Sequence, residues 1–150
     1  MKKYIFFLFV IVILSACNEK PKYEEVEIIG PSMEPTCKDG QILKVDADYY
    51  NRNAIERNDI VYFYKDQKDK CYVKRIIGLP NEEIKVMKDK ILIDGIQLEL
   101  PYRLTDNPNV GDYSTGANEY FVIGDNYGNS LDSRMFGAIS KEQIIGKLVE

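Results

Sequence analysis

Histidine and tryptophan are absent from the 150-residue sequence, and only three cysteines are present. The lack of histidine excludes Ser-His-Asp triads, Cys-His dyads and most catalytic zinc sites. Any general base in this protein must therefore be a lysine, an aspartate, a glutamate or a tyrosine. Because no group of residues resembles a set of metal ligands, we expect neither a metal ion nor another cofactor.

The sequence also lacks a surplus of basic residues. It has 20 lysines and arginines against 24 aspartates and glutamates, which gives a net charge of −4 at pH 7. No local basic stripe could follow a phosphate backbone, so nucleic acid is not expected as a partner. A chain of 150 residues that is 45% hydrophobic and 29% charged is typical of one globular domain.

A long hydrophobic run is missing as well. The apolar stretch 4–14 follows Lys2 and Lys3 and has eleven residues, too few to cross about 30 Å of hydrocarbon comfortably as a helix. The small residues Ser15 and Ala16 come next. A basic start, a short apolar stretch and small residues together indicate an export signal over residues 1–16.

Residues 14–17, Leu-Ser-Ala-Cys, resemble the lipobox of bacterial lipoproteins. The resemblance implies that Cys17 becomes the lipid-modified first residue of the mature protein, with 18–25 as a tether and 26–150 as the folded domain. We therefore expect contact with membrane lipid at the outer face of the bacterial cytoplasmic membrane. The alternative is that the N-terminal apolar segment stays uncleaved and anchors the chain there.

Short strands separated by turns are predicted along the domain. Alternating or β-branched stretches lie at 25–29, 42–45, 59–64, 71–77, 84–88, 90–94, 97–100 and 119–123, with a helical turn at 141–146 before a last strand. Loops are predicted at 48–57, which could also hold a short helical turn, and at 65–70, 101–116 and 124–132. Short strands with little helix favour a mostly β fold, a small antiparallel β-sandwich or partly open barrel.

Three stretches are unusual for ordinary loops and strands. In 30–36, two prolines and a glycine hold the backbone on both sides of Ser32, and 124–134 is dense in hydroxyls and carboxylates. In 72–80, alternation places Lys74 and Arg75 on opposite faces of a strand, so one basic side chain must point toward apolar neighbours.

These residues permit a serine hydrolase whose general base is lysine. A serine hydroxyl is a poor nucleophile until a neighbouring base takes its proton. Lysine, with an ordinary pKa of about 10.4, can do so only where burial favours its neutral form. Taken one by one, a serine in a proline-flanked turn and an edge lysine are also common structural features, so the residues alone leave that alternative open.

Four segments, at 30–36, 57–63, 74–80 and 124–134, resemble in order the successive sequence boxes of type I signal peptidases. The resemblance implies a membrane-tethered serine endopeptidase of mostly β fold that removes signal peptides from exported preproteins. By position, Ser32 would be the nucleophile and Lys74 the general base. Ser130 would orient the lysine amine, while Asp132 and Arg134 would form an ion pair that braces the loop.

The same resemblance implies how a substrate is held. The preprotein would lie as an added strand between 27–30 and 71–73, with small residues at the first and third positions before the cut. Small pockets for these would be lined by Ile28, Gly30, Met33, Cys37, Tyr72 and Val73. The Ser32 N–H would bind the oxyanion, and Gly30 lacks the hydroxyl that assists in some relatives, so a slower enzyme is expected.

Two departures from the family pattern involve asparagine. Asn58 and Asn81 stand where the family often has glycine, and asparagine tolerates the positive φ that such turns require. The two remaining cysteines, Cys37 and Cys71, fall near the substrate-flanking segments. Either they form a disulfide, as exported proteins allow, or they are two free thiols.

Two other functions stay open at this stage. One is a dedicated protease that processes a few exported or conjugation substrates with the same chemistry. The other is a catalytically silent lipoprotein that binds extended peptides.

Overall fold

The computed structural model describes residues 23–68, 70–102, 104 and 109–149. The export signal at 1–16 and Cys17 lie outside these residues. Within them the chain forms eleven strands: β1 Tyr23–Glu27, β2 Ile42–Asp46, β3 Ile60–Tyr64, β4 Cys71–Gly78, β5 Glu83–Val86, β6 Ile91–Ile93, β7 Ile96–Gln97, β8 Gly111–Ser114, β9 Glu119–Ile123, β10 Ile139–Ser140 and β11 Ile144–Val149. Helices α1 Tyr49–Arg52 and α2 Ser133–Phe136 are one turn each, and a 3-10 turn covers Lys141–Gln143.

The strands form two antiparallel sheets. The larger, curled into a half-barrel, has the order β1-β2-β11-β3-β4-β9-β10, and the smaller has the order β7-β6-β5-β8. Every pairing between strands is antiparallel. The predicted mostly β fold is confirmed, and so is the hairpin at 65–70, which joins β3 to β4.

The core lies on both faces of the larger sheet, because β4 is buried on both sides. Its Ile77 packs with Ile84 of β5 and Phe121 of β9 between the two sheets, while Ile76 packs with Phe63 on the opposite face. Gly78 is required at the sheet-to-sheet contact, since a Cβ there would come within 2.9 Å of Ile84 and Phe121. This close packing fixes β4, the strand that carries Lys74.

Several element boundaries differ from the prediction. Strand β1 begins at Tyr23, so the last three residues of the predicted tether belong to the sheet, and the strand predicted at 97–100 is confined to Ile96–Gln97. The predicted loop 101–116 contains β8, while α2 and β10 were not predicted. The sequence of β8 shows no apolar alternation. It is a strand because it pairs with β5 and because the Tyr113 ring packs on Phe121, with 4.8 Å between centroids.

The two asparagine turns behave as predicted. Asn58 has φ of 73° and Asn81 has φ of 62°, both in the left-handed region. The hypothesis of a disulfide is wrong, because Cys37 and Cys71 are both free. Cys37 is buried against Ile28 and Met33, whereas Cys71 lies at the start of β4 with its thiol 3.4 Å from the Lys68 carbonyl.

Candidate active site

Ser32 sits in a short turn that follows β1. The Glu34 N–H donates to the Pro31 carbonyl at 3.0 Å, and the Cys37 N–H donates to the Met33 carbonyl at 2.9 Å. The Met33 side chain is fully buried and anchors the turn on the core below it. Ser32 itself remains half-buried, with its hydroxyl toward β4.

Lys74 reaches this hydroxyl from β4. Its Nζ lies 2.8 Å from Ser32 Oγ and 2.8 Å from the Val73 carbonyl oxygen, and the residue is only 3% exposed. Burial lowers the pKa of Lys74 to about 8, although the nearby carboxylates of Asp132 and Asp125 favour the charged form. A substantial fraction of Lys74 is therefore neutral and able to accept a proton at mildly alkaline pH.

Asp132 and Arg134 form the buried ion pair that was predicted from the sequence. Arg134 Nε and Nη2 each lie 2.7 Å from one Asp132 carboxylate oxygen, and both side chains are almost fully buried. The pair is tied to the rest of the loop, because Asp132 accepts the Gly124 N–H at 3.1 Å and Arg134 Nη1 donates to the Tyr127 carbonyl at 2.7 Å. Asp132 also caps the start of α2.

A second buried ion pair, Arg75 with Asp125, was not singled out from the sequence. Arg75 Nε lies 2.8 Å from Asp125 Oδ1, its Nη2 contacts Oδ2, and its Nη1 donates to the Asn58 carbonyl at 2.9 Å. The Thr36 hydroxyl donates to the same carboxylate. The sequence held part of the information needed to predict this pair. The alternation of residues 72–80 required one basic side chain to be buried, and the polar segment 124–134 contained carboxylates that could pair with it.

Asn126 ties that loop to the nucleophile turn. Its N–H donates to the Ser32 carbonyl at 3.1 Å, and its side-chain amide donates to the Pro31 carbonyl at 3.0 Å. Gly124 is required here by close approach, because a Cβ would collide with the Ser130 side chain and the Ser32 carbonyl oxygen. The Ser130 hydroxyl is buried and has no hydrogen-bond partner among the described residues.

A groove of about 620 Å³ leads away from Ser32 and Lys74. One wall is formed by residues 25–29, which comprise the end of β1 and the residues directly after it. The other wall is formed by residues 71–74 of β4. Tyr62 and Leu131 also line it. Of the residues predicted to bind substrate, Ile28, Met33, Tyr72 and Val73 line this groove. Gly30 and Cys37 do not, because Gly30 is in the adjoining turn and Cys37 packs behind Ile28.

Both walls of the groove carry sheet edges with unpaired backbone. Strand β1 pairs only with β2, and β9 pairs with β4 only from Arg75 onward, so residues 71–74 have no neighbour on that side among the described residues. An extended peptide can pair with such an edge through its own backbone.

The model of the protein family described as "Signal peptidase, peptidase S26" matches residues 1–150 of this chain. Signal peptidase IB of Staphylococcus aureus is 34% identical over 143 residues, which cover 81% of this chain and 73% of that protein. The chain belongs to the signal peptidase family. Signal peptidase I of Bacillus caldolyticus is 37% identical over 134 residues, covering 79% of this chain and 73% of that protein. A signal peptidase I from Enterococcus faecalis matches in structure with a TM-score of 0.57 and 25% identity, over 65% of this chain and 98% of that chain.

Membership of the signal peptidase family confirms the class of enzyme expected from the four sequence boxes. The chain is a serine endopeptidase of the type that removes signal peptides. The structural match also agrees with the curled, mostly β architecture described above.

Two features of this signal peptidase concern metals and membranes. The described residues hold no group of three or more histidine, cysteine, aspartate or glutamate side chains that could bind a metal ion. Within the same part of the chain, no helix is long and apolar enough to span a membrane.

Proposed function

We propose that this signal peptidase cleaves exported preproteins with Ser32 as nucleophile and Lys74 as general base. The observation that carries the proposal is the 2.8 Å contact between Lys74 Nζ and Ser32 Oγ in a buried setting. A nucleophile and a base at hydrogen-bond distance are the minimum that covalent acyl transfer requires. The same contact argues against a catalytically silent peptide-binding protein.

The proton moves between these two side chains in both half-reactions. Neutral Lys74 takes the Ser32 proton as Oγ attacks the scissile carbonyl carbon, which gives a tetrahedral intermediate with a negative oxygen. The resulting Lys74 ammonium then gives a proton to the departing amine, leaving an acyl group on Ser32. In the second half-reaction Lys74 takes a proton from water as the water oxygen attacks the acyl carbon. The Lys74 ammonium then returns that proton to Ser32 Oγ as the ester bond breaks and the signal peptide leaves with a new C-terminal carboxyl group.

The oxyanion is stabilised by the Ser32 N–H, which donates no hydrogen bond to any described residue. Gly30 offers no side-chain donor, and we therefore expect a slower reaction than in relatives with a hydroxyl there. Ser130 orients the Lys74 amine in this proposal, as its place in the fourth sequence box implies. The structure shows no hydrogen bond between the two, because the buried Ser130 hydroxyl has no partner among the described residues, while Lys74 Nζ contacts Ser32 Oγ and the Val73 carbonyl.

The substrate is an extended segment that pairs with the free edges of the groove. Ile28 and Met33 on one side, with Tyr72 and Val73 on the other, line the groove that would receive the side chains before the cut. The resemblance to type I signal peptidases implies that the first and third positions before the cut carry small, alanine-like residues.

The enzyme acts at the outer face of the cytoplasmic membrane in this proposal, held by a lipidated Cys17 or by the N-terminal apolar segment. Membrane lipid is then a second partner. Mass spectrometry of the protein from the membrane fraction tests the anchor directly. A diacylglycerol-modified Cys17 at the mature N-terminus supports the lipoprotein form, and an intact Met1 supports the uncleaved segment.

The proposed dyad is tested with the full-length protein in detergent and a preprotein that has alanine at the first and third positions. Wild type should cut directly after the alanine at the first position before the cut. Ser32→Ala and Lys74→Ala should each lose at least about 10³-fold in kcat/KM. Lys85→Ala is the control, since Lys85 is an exposed strand lysine in the smaller sheet. Full activity in Lys74→Ala would show that another group is the base.

A further inference from the structure

The turn at 38–41 lies between the nucleophile turn and β2, beside the end of β1. Two backbone hydrogen bonds join it to Ile28. The Ile28 N–H donates to the Gln41 carbonyl at 2.9 Å, and the Gly40 N–H donates to the Ile28 carbonyl at 2.8 Å. Both bonds continue the antiparallel pairing of β1 with β2 beyond the strand ends. The chain at Ile28 is therefore held through main-chain atoms.

The contact of this turn with the next part of the chain is made by a side chain. Asp39 Oδ1 accepts the Gly30 N–H at 2.7 Å, the short distance of a charge-assisted hydrogen bond. Gly30 has φ of 83°, in the left-handed region, where glycine meets no steric barrier. Apart from its chain neighbours, a Cβ at Gly30 would have nothing within 4 Å among the described residues. The Asp39 carboxylate thus restrains a residue that packing leaves free to rotate.

Gly30 stands two residues before the nucleophile, so its dihedral angles set the direction in which the chain enters the nucleophile turn. The far side of that turn is held by Asn126, which donates to the carbonyls of Pro31 and Ser32. Asp39 supplies the restraint on the near side. Without it the turn could tilt about Gly30, and a displacement of about 1 Å at reacting atoms can cost about 100-fold in rate.

We propose that Asp39 is a positioning residue for the reaction. Through its bond to the Gly30 N–H, it aligns Ser32 with Lys74 and directs the Ser32 N–H toward the oxyanion in the transition state. Asp39 acts through Gly30 and makes no contact with the reacting atoms. The inference rests on the proposed function, because it concerns the alignment of the same nucleophile.

This role predicts which kinetic constant depends on Asp39. The two backbone bonds of Ile28 do not involve the Asp39 side chain, so the groove wall that binds substrate stays in place when that side chain is shortened. An interaction that acts in the transition state lowers kcat and kcat/KM equally and leaves KM unchanged. The loss should therefore fall on kcat.

The test measures kcat and KM of the full-length protein in detergent, on a synthetic signal peptide with alanine at the first and third positions before the cut. Asp39→Ala should lower kcat by about tenfold or more, with KM within about twofold of wild type. Asp39→Asn keeps an oxygen acceptor for the Gly30 N–H and should stay within about threefold of the wild-type kcat.

Lys38→Ala is the matched control, because Lys38 is an exposed residue of the same turn. Its N–H bonds to the Gln41 side chain and its carbonyl accepts the Gln41 N–H, and an alanine keeps both of these backbone groups. Lys38→Ala should have the kcat and KM of wild type. Circular dichroism at the assay temperature verifies that all variants are folded.

The results separate this inference from the proposal beneath it. Failure of folded wild type to cut the peptide would refute the proposed function. Cleavage by wild type with an unchanged kcat in Asp39→Ala would overturn the role of Asp39 alone. A raised KM with unchanged kcat would place Asp39 in substrate binding and would also contradict the proposal. So would an equal loss of kcat in Asp39→Asn or in Lys38→Ala, since neither variant removes the acceptor.

Discussion

Lys74 is a basic side chain held where its charge is poorly solvated. Water is excluded from the ammonium, and the two nearby carboxylates are each already paired with an arginine, Arg134 or Arg75. Burial therefore has the larger effect and lowers the pKa of Lys74 from 10.5 to about 8. The residue thereby gains a neutral fraction for catalysis, while the folded protein bears the cost of a buried amine.

The first prediction concerns the pH dependence of activity. Because only neutral Lys74 can accept the Ser32 proton, kcat/KM should rise with pH and level off above about 8. At pH 6 roughly one molecule in a hundred would carry the neutral amine, so activity should fall about 100-fold from its plateau. Initial rates between pH 6 and 10, on a signal peptide with alanine at the first and third positions before the cut, measure this. A flat profile over that range would contradict a lysine base.

The second prediction concerns stability. Lys74→Met should abolish cleavage and yet increase the free energy of unfolding at pH 7 by roughly 1–3 kcal/mol, because the folded state no longer holds a buried amine. The lysine pKa is lower in the folded state, so the cost is fully present below pH 8 and disappears as pH rises toward 10.5. Urea unfolding at several pH values measures the difference between the two proteins. A difference that does not shrink with pH would refute this cause.

At the scale of elements, the loop 124–134 and helix α2 act as one brace for the nucleophile turn. Asp125 fixes Arg75 of β4, and Asn126 holds the carbonyls of Pro31 and Ser32. The ion pair of Asp132 and Arg134 then holds the far end of the loop to its own backbone. A break in this brace should therefore affect both stability and the alignment of Ser32.

The third prediction tests this brace. Arg134→Met leaves the Asp132 carboxylate buried without its partner and should cost about 3–5 kcal/mol in unfolding free energy. The double variant Asp132→Asn/Arg134→Met removes the uncompensated charge and should recover part of the loss. Lys85→Ala, which breaks an exposed pair with Asp112, should cost less than about 1 kcal/mol. Equal losses in Arg134→Met and Lys85→Ala would show that the buried pair does not brace the loop.

At the scale of the whole molecule, β4 lies inside the larger sheet with an apolar layer on each of its two faces. Ile77 faces the smaller sheet and Ile76 faces the opposite side, while Gly78 allows the close approach between the sheets. The described part of the domain is thus held by packing, by buried ion pairs and by antiparallel pairing, without a disulfide.

The fourth prediction follows from the free thiols. The melting temperature of the protein should be the same with and without reductant, because Cys37 and Cys71 are not linked. Differential scanning calorimetry in the two buffers measures this. A disulfide would instead contribute about 2–4 kcal/mol, and its loss would appear as a clear fall in melting temperature on reduction.

The sequence predicted most strands because their pattern is local. The β-branched stretch that became β3 and the alternating stretch that became β4 carry their own periodicity. Strand β8 could not be predicted in this way, since Gly111–Ser114 is polar and becomes a strand only through β5 and the Tyr113 ring. The turns at Asn58 and Asn81 were predictable because asparagine tolerates positive φ better than most residues other than glycine.

The sequence by itself determined the family, the mostly β class and the candidate pair Ser32 and Lys74, because short motifs and strand periodicity are properties of neighbouring residues. Only the tertiary structure decided which groups meet across 42 residues or more of chain: the lysine amine with the serine hydroxyl, and Arg75 with Asp125. It also placed Tyr62 in the groove beside them. It also decided that Cys37 and Cys71 stay apart. The physical reason is that burial and contact distance, which set the lysine pKa and the groove, arise only when distant strands pack together.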